Sequence, residues 1–533
     1  MQLDDWFLVP AERGNPSTDI DWRHDDKQAW TEGNDGSVLV DGATYFRRLH
    51  QVLCECAPGD WIYFTDWQGD PDELLDGPGT EIGTVIADLA ERGVNVRGLL
   101  WRSHPEAMNF GEAKNLSFSR VVNDAGGEVL LDHRVRRGGS HHQKLFVVRR
   151  ADPGDDVAFV GGIDLCHGRG DDHRHFGDVQ AVELDDDNYG ERPPWHDLQI
   201  ELRGPVVDDL AYTFAERWQD PTPIDVRTPV RAALHRYSKH PDEAGPLGPS
   251  VRPPAAGSLA VQVLRTYPVL RNGYPFAEEG ERSIARAYLK AFARARRLVY
   301  LEDQYLWSID ATRALREALV RSPELQVVVV VPRYPDPDGA LSGEASRIGR
   351  ERVLDALDDV GHDRVAVYDL ENVEGGAIYV HSKACVIDDV WMAVGSDNLN
   401  RRSWTHDSEL SCAVIDERFD ERAPRDPGGL GDGARILARD TRVRLAAEHL
   451  GRVAGDVEDL VDPGACFAAF RRSAAALDAW HRNARQGPRP SGHLREHPYE
   501  RVRGTRRWGS GAIHAVFLDP DGRPRRMHRR DEF

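Results

Sequence analysis

The spacing His-x-Lys occurs twice in this chain, each time at the head of a short apolar strand that runs into a glycine turn. The first copy is His142-Gln143-Lys144, followed by LFVV and then VAFVGGIDL; the second is His381-Ser382-Lys383, followed by ACVID and then WMAVGSDNL. Side chains at i and i+2 of a strand share a face, so each copy sets an imidazole beside an ammonium. A chain carrying this arrangement twice is constrained to fold as two similar halves.

The flanking sequence repeats in the same order. GATYFRRLHQVLCEC reads as a helix, WIYFTDW as a strand, IGTVIADLAERG as a helix and VNVRGLLW as a strand. In the second half, RSIARAYLKAFARARR has apolar residues at 284, 287, 288, 291 and 292, a helical stripe, and leads into the strands LVYLEDQYLW and LQVVVVVP. Val207, Leu210, Phe214 and Trp218 recur at helical spacing and predict a helix packed on the first repeat. Such alternation predicts an α/β sandwich. The expected divisions are an N-terminal segment 1–34, a first repeat 35–220, a Pro- and Gly-rich linker 221–257, a second repeat 258–470 and an Arg-rich C-terminal extension 471–533.

Composition narrows the partners. The formal net charge is −21, so the surface as a whole repels nucleic acid. Basic residues are nearly all Arg; of six Lys, two lie in the paired motifs. The opening MQLDDWFLVPAERGNPSTD has neither a basic start nor a secretory apolar run, and the valine run at 326–332 is far too short to span a bilayer. A cytoplasmic protein without a transmembrane segment, its six scattered cysteines reduced, is expected.

The paired motifs suit phosphodiester cleavage. One neutral imidazole attacks phosphorus to form a phosphohistidine, and a second, protonated, gives its proton to the departing oxygen and later activates water. Two lysines and backbone donors stabilise charge on the phosphoryl oxygens. This scheme needs no metal or cofactor. The cluster His167, Asp171, Asp172, His173 and His175 is read as a charged surface loop rather than a metal cage.

The motifs resemble the phospholipase D superfamily, whose signature is H-x-K-x4-D followed by a G-G or G-S turn. HSKACVID with VGSDNLNRRS fits fully; HHQKLFVV, FVGGIDLCHGR, PPWHDLQIELRGPVVDDL, IYFTDW and YLEDQYLW extend the similarity over roughly 35 to 420. The resemblance implies two pseudo-symmetric phospholipase D-like repeats, each a mixed β-sheet flanked by helices, with one active site at the repeat interface. It implies His142 as nucleophile, His381 as general acid/base, Lys144 and Lys383 as phosphate ligands, and Asn398 as a further phosphate ligand. Glu409 and Asp178, from aligning DSELSCAV with GDVQAVEL, are expected to orient the histidines. The turn residues Gly161, Gly162, Gly395 and Ser396 are expected at the substrate, with Glu302, Gln304 and Trp67 at the strand ends and Trp307 at a place matching Trp67.

The first copy departs from the pattern. Arg149 stands where the second copy has Asp388, and Asp164 where it has Asn398. Eight residues, RRADPGDD, join the two strands, against three, DDV, in the second copy. Asp388 lies seven positions after His381 and so faces away from the His/Lys face; its expected job is turn geometry, which Asp152, Asp155 or Asp156 could serve in the first copy.

The expected activity is hydrolysis of glycerophospholipids to phosphatidic acid and free head group at a membrane surface, with transphosphatidylation when an alcohol intercepts the intermediate. The rivals are a cardiolipin-synthase-like phosphatidyltransferase, a nuclease, which the acidic charge disfavours, and an inactive lipid-binding homologue, which Arg149 favours. Peripheral membrane contact is assigned to the surface or the Arg-rich C-terminus. The sequence does not fix an oligomeric state.

Overall fold

The computed structural model describes residues 1–24, 27–102, 112–180, 186–222, 224, 244–270, 273–334, 340–453, 455–498, 511, 514–530 and 532–533. The N-terminal half builds one sheet from β1 (Thr31–Val40), β2 (Trp61–Asp66), β3 (Asn95–Trp101), β4 (Glu128–Asp132), β5 (Leu145–Arg149), β6 (Val157–Gly161) and β7 (Leu198–Arg203). Their order across the sheet is β1-β7-β6-β5-β2-β3-β4, with β2, β3 and β4 parallel and the other neighbours antiparallel. The C-terminal half builds a second from β8 (Leu259–Tyr267), β9 (Leu298–Glu302), β10 (Gln326–Val330), β11 (Val365–Glu371), β12 (Ala384–Ile387), β13 (Trp391–Gly395) and β14 (Glu409–Asp416). Its order, β8-β14-β13-β12-β9-β10-β11, repeats the first strand for strand, including the parallel trio β9, β10 and β11.

Alternation along each strand builds the layers. Ile62 and Phe64 point to one face of β2 and Tyr63 to the other. The outer face is covered by α1 (Gly42–Cys54), α2 (Ile82–Glu91) and α3 (Glu112–Asp124), whose Phe46, Leu49, Ile86 and Phe118 pack on Phe64, Phe146 and Phe159. Helix α4 (Val206–Trp218) turns the other way, into the core shared by both sheets, and its expected stripe of Val207, Leu210, Phe214 and Trp218 is buried there. Helices α5 (Ser283–Arg294) and α6 (Ile309–Arg321) cover the outer face of the second sheet. All five stripe residues of α5, at 284, 287, 288, 291 and 292, are buried. Of these, Ile284 and Phe292 each contribute on the order of 1.5–3 kcal/mol by leaving water.

Between the sheets, Tyr63, Val147 and Ile200 share one core with Val261, Tyr300, Val328 and Val386, joined by α4, α7 (Ile436–His449) and α8 (Pro463–Arg482). Strand β1 belongs to both sheets: Asp35–Val40 pair with β7, while Thr31 and Asn34 pair with Val261 and Leu259 of β8. Two of the expected divisions cut through elements. The break at 34/35 falls inside β1 and the break at 470/471 inside α8, because both elements are needed to close the shared core. Beyond α8, Leu494–Glu496 adds to the edge of β11 rather than starting a separate extension. Much of the expected linker, 225–243, and the Arg-dense run 499–510 lie outside the described residues. Among the described residues no helix is long and apolar enough to cross a membrane.

Candidate active site

Each His-x-Lys segment sits just before the strand it predicts, β5 or β12, and each is tied to the opposite half. The His142 N–H donates to the Ser408 carbonyl at 2.9 Å, and the His381 N–H donates to the His196 carbonyl at 2.8 Å. Residues Tyr379 and Val380 pair in parallel with Trp195 and His196, while His141 bridges to Ser408. These crossings bring a carboxylate to each ring from the other repeat. His142 Nδ1 lies 2.8 Å from Glu409 Oε2, and His381 Nδ1 lies 2.7 Å from Asp197 Oδ2. A carboxylate at Nδ1 fixes the proton there and leaves each Nε2 available for chemistry.

The glycines make room for these pairs. A Cβ on Gly162 would stand 2.2 Å from Asp197 Oδ1, one on Gly161 2.4 Å from the Leu198 carbonyl, and one on Gly395 1.8 Å from Ser411 Oγ. Where the first repeat has Gly162 the second has Ser396, whose hydroxyl donates to Glu409 Oε2 at 2.5 Å and accepts the Leu410 N–H at 3.0 Å. One carboxylate is thus held partly by a side chain, the other by close backbone packing.

The lysines meet unlike partners. Lys144 Nζ lies 3.3 Å from Asp164 Oδ1 and donates to the His142 carbonyl at 3.1 Å. Lys383 donates to the His381 carbonyl and, at 3.2 Å, to Gln304 Oε1; the Gln304 amide donates in turn to the Tyr379 hydroxyl at 2.7 Å. Asn398 is buried, and its Oδ1 has no hydrogen-bond partner among the described residues. Burial and the neighbouring Asp164 hold the Asp66 carboxyl well above its ordinary range. Burial opposes charge on Asp164 too, but Lys144 and a hydrogen bond from Asp66 keep its pKa low, so these two carboxyls share one proton.

Electrostatics places the two motifs in one cluster. Burial, then Lys144 and Lys383, push His142 well below the usual histidine range; burial, then Lys383 and Arg169, do the same to His381. Each ring therefore feels a cation from beyond its own strand. Burial lowers Lys383 to about 8, against the pull of Asp197. The guanidinium of Arg169 lies 4.0 Å above the Trp195 ring, which packs 5.0 Å from His381. Three cations facing two imidazoles make an anion site suited to a phosphodiester.

Several expected site residues stand elsewhere. Asp178 touches neither the His142 nor the His381 ring: it accepts the backbone N–H groups of Gly168, Gly170 and Gln180, all at 3.0 Å, and ties a loop. The partner of His381 is Asp197, from the PWHD segment. Glu302 accepts from His196 and His449 at 2.9 and 2.8 Å and from the Tyr300 hydroxyl at 2.6 Å, behind the site. The register explains it: Glu302 ends β9 opposite Ala384, so it stops short of Lys383, which Gln304 beyond the strand reaches. Trp67 stacks on Trp101, with ring centres 5.8 Å apart. By register it matches Gln304 rather than Trp307, since Thr65 opposes Leu145 as Glu302 opposes Ala384. Asp388 accepts the N–H groups of Arg296, Arg297 and Leu298, each at 2.8 Å, and fixes the turn away from the rings.

Arg149, in the matching place, pairs with Asp156 at 2.6 Å and Asp208 at 3.0 Å. The tie made by Asp388 is inverted there: Asp60, ahead of β2, accepts the Ala151 N–H of the hairpin at 3.2 Å. Asp197 and Arg169 were not singled out by sequence. The signals that identify them are the position of Asp197 next to β7, matching Glu409 at the start of β14, and the lone Arg closing FVGGIDLCHGR.

The family model for phospholipase D matches residues 70–313 and 362–506, and one for the PLD-like domain of cardiolipin synthase matches 288–424. Phospholipase D alpha 1 of Cynara cardunculus is 25% identical over 515 residues, covering 73% of this chain and 62% of that protein. Phospholipase D alpha 3 of Arabidopsis thaliana is 26% identical over 503 residues, covering 71% and 61%. The chain thus spans about three-fifths of the length of these curated relatives. The solved phosphatidylserine synthase of Haemophilus influenzae Rd KW20 overlaps 72% of this chain and 82% of its own at 15% identity, with a TM-score of 0.48, too distant to add to the argument. With the family model matched on both sides of the repeat and the two motifs joined in one cluster, the chain belongs to the phospholipase D family.

Proposed function

We propose that this protein is a phospholipase D-type phosphodiesterase acting on glycerophospholipids at a membrane surface. The observation that carries the reading is the reciprocal pairing of His142 with Glu409 and of His381 with Asp197 around a cluster holding Lys144, Lys383 and Arg169. His142 Nε2, neutral because it is buried beside two lysines, attacks phosphorus. The P–O bond to the head group breaks, and the proton on His381 Nε2 goes to the leaving alkoxide. The anionic substrate favours that proton's presence on His381, and Asp197 stabilises the imidazolium. The lysines and the Asn398 amide hold the phosphoryl oxygens. A water molecule then gives its proton to His381 and attacks phosphorus, breaking the P–N bond and releasing phosphatidic acid; a primary alcohol in its place gives a new phosphatidyl ester.

A phosphatidyltransferase is the second reading, favoured by the match to the cardiolipin synthase domain over 288–424. Both readings use the same phosphohistidine. The test combines a phosphatidylcholine assay with added ethanol or phosphatidylglycerol and intact-mass analysis of His381→Ala after an activated phosphodiester. We expect phosphatidic acid from phosphatidylcholine, phosphatidylethanol when ethanol is present, and a trapped phosphoryl group on His142. Trapping on His381 in His142→Ala reverses the two roles. Turnover only with phosphatidylglycerol favours the transferase. No turnover of any phosphodiester by the wild-type protein favours an inactive lipid-binding homologue.

A further inference from the structure

Two rims stand over the paired histidines, one on each side of the site. On the His142 side, the C-terminal segment of the chain is seated where residues 138–141 meet 402–408. The Arg402 N–H donates to Asp519 Oδ1 at 2.9 Å, and its guanidinium donates to the Gly138 and Phe517 carbonyls at 2.8 and 3.3 Å. The Gly522 N–H donates to Thr405 Oγ1 at 2.7 Å, and its carbonyl accepts from Arg136. The His514 ring centre lies 5.0 Å from that of Trp307, which follows closely on the Gln304 that meets Lys383. On the His381 side, the loop tied by Asp178 joins the hairpin that follows β11. The Asn372 amide donates to the His175 carbonyl at 2.8 Å, and Asp171 Oδ2 accepts the Gly177 and Trp195 N–H groups at 3.1 and 2.8 Å. Both β9 and β11 run parallel to β10, so this hairpin lies at the same end of the sheet as Gln304.

Each rim presents apolar side chains to solvent. Phe517 and Val516 are 68% and 62% exposed on one; Val179, Val373 and Phe176 are 78%, 53% and 40% exposed on the other. The hydrogen bonds above pin the backbone beside them, so the exposure is built into the fold. Large apolar side chains displayed together mark a surface that meets another body. A third feature supplies its charge. Helix α9 (Arg525–Arg530) begins shortly after Gly522 and exposes Arg525, Arg526, Arg529 and Arg530. None of the four has an ion pair among the described residues, whereas surface arginines such as Arg418, Arg422 and Arg452 are met by carboxylates. On a chain of net charge −21, four unpaired cations beside an apolar rim select a partner with an anionic surface and an apolar interior.

We propose that the two rims and α9 form a docking surface for an anionic lipid bilayer. Val516 and Phe517 on one side of the mouth, and Phe176, Val179 and Val373 on the other, enter the head-group region, while the arginines of α9 meet lipid phosphates. A phosphodiester in a bilayer sits at head-group depth, so it reaches His142 when the mouth between the rims faces the membrane. A protein seated across both rims would close that mouth, which favours a lipid surface. The purpose of docking rests on the glycerophospholipid reading; the binding itself does not. The Arg-dense C-terminus thereby acts with apolar side chains that its composition did not reveal, two from its own segment and three from far along the chain.

The test uses the full chain carrying His142→Ala, so that lipid is not consumed, and vesicles of phosphatidylcholine with and without phosphatidylglycerol. We expect the protein to float with phosphatidylglycerol vesicles, less so as salt is added, and weakly with phosphatidylcholine alone. Val516→Ser with Phe517→Ser, and Val179→Ser with Val373→Ser, should each weaken vesicle binding at least about tenfold. Arg525→Gln with Arg526→Gln should weaken it about tenfold and flatten the salt dependence. With His142 restored, the same pairs should turn over a soluble nitrophenyl phosphodiester within about twofold of the parent rate. The proposal is overturned if the folded chain does not float with anionic vesicles, floats equally with neutral ones, or binds unchanged in all three pairs. It is overturned equally if soluble turnover falls in parallel, or if the pairs instead break a self-association seen without lipid, which gives the surface to a second copy. If a variant fails to fold, hydrogen exchange of the His142→Ala chain decides: vesicles should slow exchange at 514–519, 174–180 and 372–376, and protection confined to other segments overturns the proposal. Failure of the phospholipase reading would leave vesicle binding intact without turnover, so the two failures are distinct.

Discussion

Lys144 and Lys383 occupy matching places but do different electrostatic work. Lys144 faces the Asp164 carboxylate at 3.3 Å, whereas the side chain facing Lys383 is the neutral amide of Gln304. Burial brings Lys383 to about 8. Its ammonium is charged below that pH and lost above it, so kcat/KM should fall as pH rises through about 8. On the acid side, burial and the two lysines depress His142 well below its usual range, so it stays neutral at pH values where a free histidine would be protonated. Lys383→Arg keeps its charge to beyond pH 12, so its alkaline limb should move upward even as kcat drops, because a planar fork does not replace a point charge. A pH–rate profile of both proteins checks this; an unmoved alkaline limb would assign it to another group. Arg149, the residue that most endangered the functional reading, is spent on Asp156 of the hairpin and Asp208 of α4 and leaves the rings alone.

Short crossing elements decide which carboxylate reaches which ring. Asp197 follows Trp195–His196, which pairs with the strand leading into His381, while Asp178 caps a loop. Asp197→Asn should lower kcat by about 10²–10⁴, since the amide keeps the shape but not the charge that stabilises an imidazolium. Asp178→Asn should leave kcat within about threefold. Steady-state kinetics with circular dichroism as a folding control compares them; equal losses would argue against the pairing. The strands, the amphipathic helices and the two His-x-Lys faces were legible because each is a local pattern of period 2 or 3.6. Asp197 was not, because matching letters to DSELSCAV selected GDVQAVEL, whereas hydrogen-bond order equates β7 with β14. Glu302 was misread for a related reason: which residue lies level with Lys383 depends on a register that only pairing with β12 fixes.

At the scale of the molecule, the halves are not separable bodies. β1 pairs with both sheets, and one apolar core runs between them. Calorimetry should therefore give one unfolding transition with matching calorimetric and van't Hoff enthalpies. Two resolved transitions would mean autonomous repeats. The exchange of carboxylates makes the same point at the site. Glu409 of the second half serves the ring of the first, and Asp197 of the first serves the ring of the second. Neither half alone could orient its own histidine: each gives the other the carboxylate it receives, as partners do across a two-fold contact. Because both halves lie on one chain, that exchange needs no second copy, and the two turns differ, Ser396 against Gly162 and Asn398 against Asp164.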